Sequence, residues 1–438
     1  MNRTFIIRAI SLYAPLVFAF ILWSVRKLSR AEATGALLAT AWNLPALLAV
    51  NLMAMYFGWW NFSVKGGTLF GMPVDLWIGW SAFWGTAAAL LFRNTPLWIV
   101  AIILGTADVI LMPLCAPVVV LGKKWLIGEC LALSTCVVPG LLLARWTRDS
   151  INTKGRAFLQ AICFSGLLLF STVAVANASG RLERLAHITS FHLHLLAIVL
   201  FLAALPGLSA VQEFAVVGQG TPLPFDPPRK LVRSGIYRYI ANPMQSSTAL
   251  LLIVMAIGLR LPWLLVGSMV SVVYSAGLAH WDEDSDLRQR YGEHFLDYRR
   301  QVRNWLPRWR PVISQPARIY LAEDCFKCSQ MAVFLKSLKP IGLEIVAAED
   351  HPRRNLERMT YESEAVEGAV EDAGLAALAR ALEHVNLGCA LVGMALRLPG
   401  INAALQAIVD VSGGGPMPVV RRSCELPVSA VNHQHILN

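Results

Sequence analysis

The sequence predicts a mainly α-helical, polytopic membrane bundle of about nine spans, followed by a small α/β domain. Of the 438 residues, 56% are hydrophobic and only 15% are charged, whereas an ordinary soluble domain carries about 25% charged residues. Charged residues are scarcest in the first 280 residues, which consist largely of long apolar runs. Charged residues and strand-like runs become frequent only after residue 313.

Nine apolar stretches have about the length that a helix needs to cross the hydrocarbon core, roughly 20 residues. They are residues 5–25, 35–58, 71–92, 95–121, 125–144, 157–177, 189–212, 243–259 and 261–281. No small-residue cleavage site follows the first stretch before Arg26. We therefore expect a retained helix rather than a removed signal peptide.

The formal net charge of +10 would suggest nucleic acid as a partner if the protein were soluble. Here the basic residues flank the apolar stretches, where they anchor helices at the membrane surface, so we expect membrane lipids and no nucleic acid as partners. If the chain after residue 281 is cytoplasmic, twelve Lys and Arg residues fall in the inner loops and eight on the outer side. This bias favours a cytoplasmic C-terminal domain.

Three regions follow from these patterns. Residues 1–180 hold six apolar stretches and carry no recognised motif. Residues 181–312 hold three more stretches, a polar loop and an amphipathic tail, and residues 313–438 form the small domain. The segment 312–316, which ends in Pro316, is the predicted linker between the membrane and soluble parts.

The most specific pattern consists of a loop and two later segments around a predicted helical hairpin. The loop holds Gly235, Tyr237, Arg238, Tyr239, Asn242 and Pro243, and the later segments hold Glu283, Asp284 and Leu287, then Tyr291, Gly292, Phe295, Tyr298, Val302 and Pro307. Asn242-Pro243 should break the helix where the chain enters the membrane, which leaves backbone groups free to hold a polar ligand. Carboxylates can bind a sulfonium cation and ribose hydroxyls, and aromatic faces can also bind the cation. The pattern therefore suits a ligand that carries both groups.

These blocks resemble the isoprenylcysteine carboxyl methyltransferase and phospholipid methyltransferase superfamily over roughly residues 190–308. The resemblance implies methyl transfer from S-adenosylmethionine to a lipophilic acceptor (prenyl, terpenoid or lipid). The cofactor-binding residues that it implies are Tyr237, Arg238, Tyr239, Asn242, Pro243, His280, Glu283 and Asp284. Ala241 and Gln245 stand where the family has Arg and Tyr, so a membrane redox protein with a non-catalytic methyltransferase fold is an open alternative.

Cys325 and Cys328 form the only close cysteine pair, and they follow the strand candidate 317–322. A helical pattern comes next, and then a second strand candidate at 343–347. Strand, CxxC at a helix start, helix and strand is the thioredoxin-like order. Because a helix N-terminus lowers the pKa of its first Cys, we expect Cys325 to be the attacking thiolate and Cys328 the resolving thiol.

Residues 317–424 resemble the DCC family of thioredoxin-like thiol–disulfide oxidoreductases, including the late Cys424. The resemblance implies catalysis by Cys325 and Cys328 and a thiol redox partner. The alternative is a structural domain in which Cys325 and Cys328 do not catalyse thiol–disulfide exchange. No metal site is expected, because no second CxxC or paired His lies nearby.

Asp75, Asp108 and Glu129 lie in or at the ends of apolar stretches. Acids inside a membrane are costly and often functional. They are either interfacial residues or a second polar pocket, of the kind that acid-catalysed membrane terpenoid cyclases use, which makes a terpenoid-modifying enzyme a further alternative. The apolar segment 386–411 is long enough for a tenth span, but Arg397 and Pro399 favour packed or surface-bound helices.

Overall fold

The computed structural model describes residues 3–183, 187–223, 226, 228–314, 316–363 and 370–419, and all of their side chains except those of 278–284. The chain divides into two compact units. The first comprises Met1–Val232 with Met244–Glu283, and the second comprises Arg233–Pro243 with Asp284–Asn438.

Seven helices among the described residues are long and apolar enough to cross a membrane. They are α1 (Arg3–Val25), α2 (Arg30–Phe57), α3 (Val74–Leu91), α4 (Leu97–Leu114), α5 (Trp125–Arg148), α6 (Thr153–Ala178) and α7 (Ser190–Val216). They confirm the mainly helical fold class and are compatible with a multi-pass membrane protein. Each of the first seven predicted stretches therefore corresponds to one long apolar helix.

The last two predicted stretches form shorter apolar helices, α8 (Pro243–Gly258) and α9 (Trp263–Gly277). Helix α8 has 16 residues and is therefore about 24 Å long at the usual rise of a helix. That is less than the roughly 30 Å of the hydrocarbon core. Seven spanning helices are supported by length and composition, and the count of nine stays a prediction.

Helix α2 packs along α3 and α5 at the centre of the first unit. At the crossing with α5, a Cβ on Gly35 would lie 2.5 Å from the carbonyl oxygen of Ala144, so only glycine permits this approach. The loops carry an antiparallel pair, β1 (Trp60–Phe62) with β4 (Val119–Leu121), and a hairpin of β2 (Thr68–Leu69) and β3 (Met72–Pro73). Buried indole rings of Trp60, Trp77 and Trp84 belong to the core beside these strands.

The second unit contains α10 (His280–Gln301) from Asp284 onward and a four-stranded mixed sheet. Helix α10 is interrupted at Gly292, whose positive φ of 52° favours glycine. The strands are β5 (Ala317–Leu321), β6 (Leu343–Ala347), β7 (Thr360–Ser363) and β8 (Val370–Ala373), in the order β6-β5-β7-β8. Strand β5 is parallel to β6 and antiparallel to β7.

Helices cover this sheet. Helix α11 (Phe326–Ser337) connects β5 to β6, and its buried Leu335 packs against Ile319 and Leu321 of β5. Beyond β8 follow α12 (Leu375–Leu382), α13 (Leu387–Arg397) and α14 (Pro399–Val409). The apolar segment 386–411 is thus two helices, and the second is bent by 84° from the first.

Candidate functional site

The thiol pair, Cys325 and Cys328, lies where β5 has ended and α11 begins. Cys325 caps α11: its backbone is extended, and its Sγ accepts the backbone N–H of Cys328 at 3.4 Å. The first N–H groups of a helix have no partner within the helix. The Cys325 sulfur therefore occupies the position where Ser or Asp usually caps a helix.

The two thiols differ in acid strength. The pKa of Cys325 is lowered by a hydrogen bond from the Cys328 side chain, and also by the backbone N–H groups of Cys328 and Lys327 and by the Lys327 charge. Burial raises the pKa of Cys328 to about 11, and its contacts with Cys325 add to the rise. Near neutral pH, Cys325 is thus the better nucleophile, while Cys328 keeps its proton.

Three neighbours shape the surroundings of the thiol pair. The buried carboxylate of Glu349 accepts the backbone N–H of Glu323 at 3.0 Å, and its charge raises the pKa of Cys328 further. Lys327 Nζ donates to the carbonyl oxygen of Ser412 at 2.9 Å. The ring of Phe326 is 75% exposed, so an apolar surface beside the thiols is open to a partner.

The loop predicted to bind cofactor forms a short 3₁₀ helix, Gly235–Arg238, that is followed by Tyr239. Its large side chains are buried: Tyr237 and Arg238 are 6% exposed, and Tyr239 is fully enclosed. Enclosure of a Tyr hydroxyl and a guanidinium requires polar partners. The hydroxyl of Tyr361 in β7 and the carbonyl oxygen of Glu383 supply them.

The end of α10 and the segment that follows it are bonded to the backbone of this loop. The N–H groups of Ala241 and Asn242 donate to the carbonyl oxygens of Arg303 and Asn304, at 2.9 and 3.1 Å. The hydroxyl of Tyr298 donates to the carbonyl oxygen of Tyr237 at 3.0 Å. The first and third blocks of the sequence pattern are therefore in direct contact.

The side chains of the loop are bonded to the C-terminal region. Arg238 donates to the hydroxyl of Tyr361 at 3.2 Å, and Tyr361 is bonded to Nε2 of His384 at 2.9 Å. Burial and the neighbouring Arg238 lower the pKa of His384 well below its usual value. A neutral His384 can thus donate from Nδ1 to the Ile341 carbonyl oxygen, 2.8 Å away, and accept the Tyr361 hydroxyl at Nε2.

Glu383 stands at the centre of a second set of buried contacts. Its carbonyl oxygen accepts the hydroxyl of Tyr239 at 3.0 Å. Its carboxylate, which is fully buried, pairs with Arg397 at 2.5 Å and with Arg380 at 3.3 Å. A carboxylate enclosed in this way is stable only with such cationic partners.

The predicted site residues are therefore only partly brought together. Cys325 and Cys328 are adjacent, and Tyr237, Arg238, Tyr239, Asn242 and Pro243 share one loop. The side chains of His280, Glu283 and Asp284 lie outside the described residues, as does Cys424.

Glu349 was missed by the sequence analysis. A signal for it exists, because Glu349 comes two residues after β6. The carboxyl ends of the parallel strands β5 and β6 meet at one edge of the sheet. That edge also carries the thiol pair. An acid two residues beyond the second strand was therefore a candidate neighbour of Cys328.

No family model, no curated protein and no solved structure matches this chain. A functional assignment therefore depends on the arrangement of the residues themselves.

Proposed function

We propose that the C-terminal region is a thiol–disulfide oxidoreductase domain, anchored to the membrane by the helices that precede it. The observation that carries the proposal is the asymmetric thiol pair at the start of α11. The succession of β5, CxxC, α11 and the parallel strand β6 supports it, because this is the order of a thioredoxin-like domain.

The reaction would proceed by thiol–disulfide exchange. The Cys325 thiolate attacks one sulfur of a partner disulfide, forms a mixed disulfide and releases the second partner sulfur as a thiolate. Cys328 then loses its proton, attacks Cys325 Sγ and displaces the remaining partner thiolate. The partner gains two electrons and the Cys325–Cys328 disulfide forms. Glu349, whose charge acts on Cys328, is a candidate acceptor of the Cys328 proton.

The test uses the full chain in detergent with oxidised glutathione as the partner disulfide. The wild type should form its internal disulfide and release reduced glutathione. Cys328→Ser should retain one glutathione on Cys325, and Cys325→Ser should do neither. Cys389→Ser, at another partly exposed cysteine, is the matched control and should behave as the wild type. A Cys325→Ser variant that still reacts as the wild type would refute the assignment.

A second candidate function is methyl transfer from S-adenosylmethionine to a lipophilic acceptor. The observation that favours it is the pairing of residues 303–304 with 241–242, directly before α8 begins at Pro243. Because Arg238 and Tyr239 are buried and bonded to the C-terminal region, Asn242 is the loop residue that we propose as a cofactor contact. Glu283 and Asp284 are the acids that the family resemblance implies. His280 remains a candidate on the same helix as the acids.

Calorimetry on the purified full chain tests the second candidate. S-adenosylmethionine should bind to the wild type and more weakly to Glu283→Ala. Glu293→Ala, at an exposed acid on the same helix, is the control and should bind as the wild type. If the wild type shows no binding while it reacts with glutathione, the chain is a redox protein with a non-catalytic methyltransferase fold.

Methyl transfer from a cytosolic cofactor requires the regions after residue 281 to be cytoplasmic, and this orientation is part of the proposal. An introduced cysteine at Lys65 should then react with an impermeant reagent added outside intact cells, and one at Lys154 should not. The reverse pattern would place both proposed sites on the other side of the membrane.

A further inference from the structure

Two acids from different helices of the first unit meet inside the bundle. Asp108 of α4 is 2% exposed and Glu129 of α5 is 3% exposed. Trp80 Nε1 donates to Asp108 at 2.8 Å, and both acids line the same cavity. Because two ionised carboxylates enclosed in one place lose their hydration and repel each other, we infer at least one proton on the pair.

Two acids on other helices of the first unit have cationic partners. Asp75 pairs with Arg8 at 2.5 Å, and Glu32 pairs with Arg93 at 2.6 Å. Neither Asp108 nor Glu129 has a salt bridge to a basic residue in the described part of the chain. A proton, rather than a guanidinium, therefore reduces the charge of the pair.

The pair faces an internal cavity of about 50 Å³. Its lining includes four indole side chains and both acids: Trp60, Trp77, Trp80, Trp84, Asp108 and Glu129. Two buried polar atoms in this lining, Glu129 Oε1 and Trp84 Nε1, have no hydrogen-bond partner in the described structure. A cavity of this size admits a few waters or the end of a small apolar group.

Glu129 also lines a second, open groove of about 450 Å³ between α4 and α5. The other lining residues are almost all apolar, and Ile102, Ile110 and Leu126 are more than half exposed. In a membrane-spanning unit such a surface faces lipid. The volume lies within the roughly 300–1,000 Å³ of small-molecule sites, and Glu129 connects this lateral groove to the aromatic cavity.

We propose that the groove and the acid pair form a proton-donating site for an isoprenoid chain that enters laterally from the bilayer. A trisubstituted alkene accepts a proton to give a tertiary carbocation, which a saturated acyl chain cannot do. The proton passes from the carboxyl pair to one alkene carbon, and the pair is left with an additional negative charge. Indole faces stabilise the cation, and loss of a proton from a neighbouring carbon returns it to the pair. The net change is isomerisation or ring closure, without an oxidant.

The first part of the test detects the proton. Infrared spectra of the full chain in nanodiscs should show a carbonyl band of a protonated carboxylic acid. The band should change position in Glu129→Gln and in Asp108→Asn, be lost in the double variant that combines them, and be unchanged in Asp149→Asn, a control at an acid with 42% of its side chain exposed. A wild-type spectrum without this band overturns the proposal.

The second part detects the ligand. A geranylgeraniol analogue with a diazirine should label α4 and α5 of the wild type several-fold more than a palmitate analogue with the same group. Labelling should fall several-fold in Val109→Trp, which fills the groove without removing an acid. Equal labelling by the two lipids, with the carboxylic acid band present, would make the pair a packing feature and overturn the proposed site.

Discussion

The thiol pair and the loop Gly235–Pro243 belong to one unit, yet their side chains have opposite surroundings. The main groups that lower the pKa of Cys325 lie within three residues of it along the chain, and both thiols are partly exposed. By contrast, Tyr239 is buried and bonded to a residue 144 positions further on. A short motif identifies chemistry when its own residues tune one another. Where partners from distant parts of the sequence enclose the motif residues, those residues can instead hold two segments of the chain together.

The largest expected effect concerns the buried contacts that enclose the loop Gly235–Pro243. Glu383→Ala leaves Arg380 and Arg397 without their shared carboxylate, so the free energy of unfolding of the second unit should fall by about 3–5 kcal/mol. Hydrogen exchange of residues 375–409 in increasing urea would measure the loss. Glu344→Ala, which removes an exposed pair with Arg318, is the control and should leave the stability unchanged. Equal stabilities would mean that the loop is not held by these contacts.

An intermediate effect separates packing from cofactor binding at Tyr239. Tyr239→Phe removes the hydrogen bond to the Glu383 carbonyl oxygen and should lower the free energy of unfolding by about 1 kcal/mol. S-adenosylmethionine binding should stay as in the wild type. Tyr56→Phe, on a ring that is 83% exposed, should change neither quantity. Weaker cofactor binding with unchanged stability would make Tyr239 a cofactor residue and break the comparison.

The smallest expected effect concerns the thiol pair, whose acid strength is set by residues close to it in the sequence. Lys327→Gln removes one of the weaker influences on the Cys325 thiolate. The pKa of Cys325 should rise slightly, and alkylation of Cys325 at neutral pH should slow by about twofold, because a surface charge contributes only a few tenths of a kcal/mol. Lys336→Gln, at the other end of the same helix, should leave the rate unchanged. A much larger change would show that Lys327 dominates the site.

The sequence was most informative where the residues of one stretch determine its structure without contacts to the rest of the chain. The apolar runs predict α1 to α7 because length and hydrophobicity suffice for a membrane helix. Strands β5 and β6 were predicted from apolar runs beside the CxxC. Strands β7 and β8 were not predicted, because Thr360–Ser363 and Val370–Ala373 contain polar residues and are fixed by pairing with neighbouring strands.

Long-range contacts account for what the sequence analysis missed. Nothing near Arg238 in the sequence indicates that Tyr361 will bind it. Asp108 and Glu129 were candidates for a polar pocket together with Asp75, but nothing in the sequence indicates that Asp75 pairs with Arg8 instead. A partial signal existed in Arg397, a charge within an apolar run, which argued against a simple span and is buried beside Glu383. A charge of this kind implies that a partner of opposite charge exists, but the sequence does not identify that partner because it depends on how the helices pack.

The most direct measurement is the pH dependence of alkylation of Cys325 and Cys328 in the reduced full chain, resolved by peptide mass spectrometry. The lowered pKa of Cys325 means that its thiolate persists below the roughly 8.5 of a free thiol, so Cys325 should react well under neutral conditions. The pKa of Cys328, about 11, should keep it slow until strongly alkaline pH. If both thiols titrate together near the value of a free cysteine, the thiol pair is not activated and the proposed oxidoreductase function is wrong.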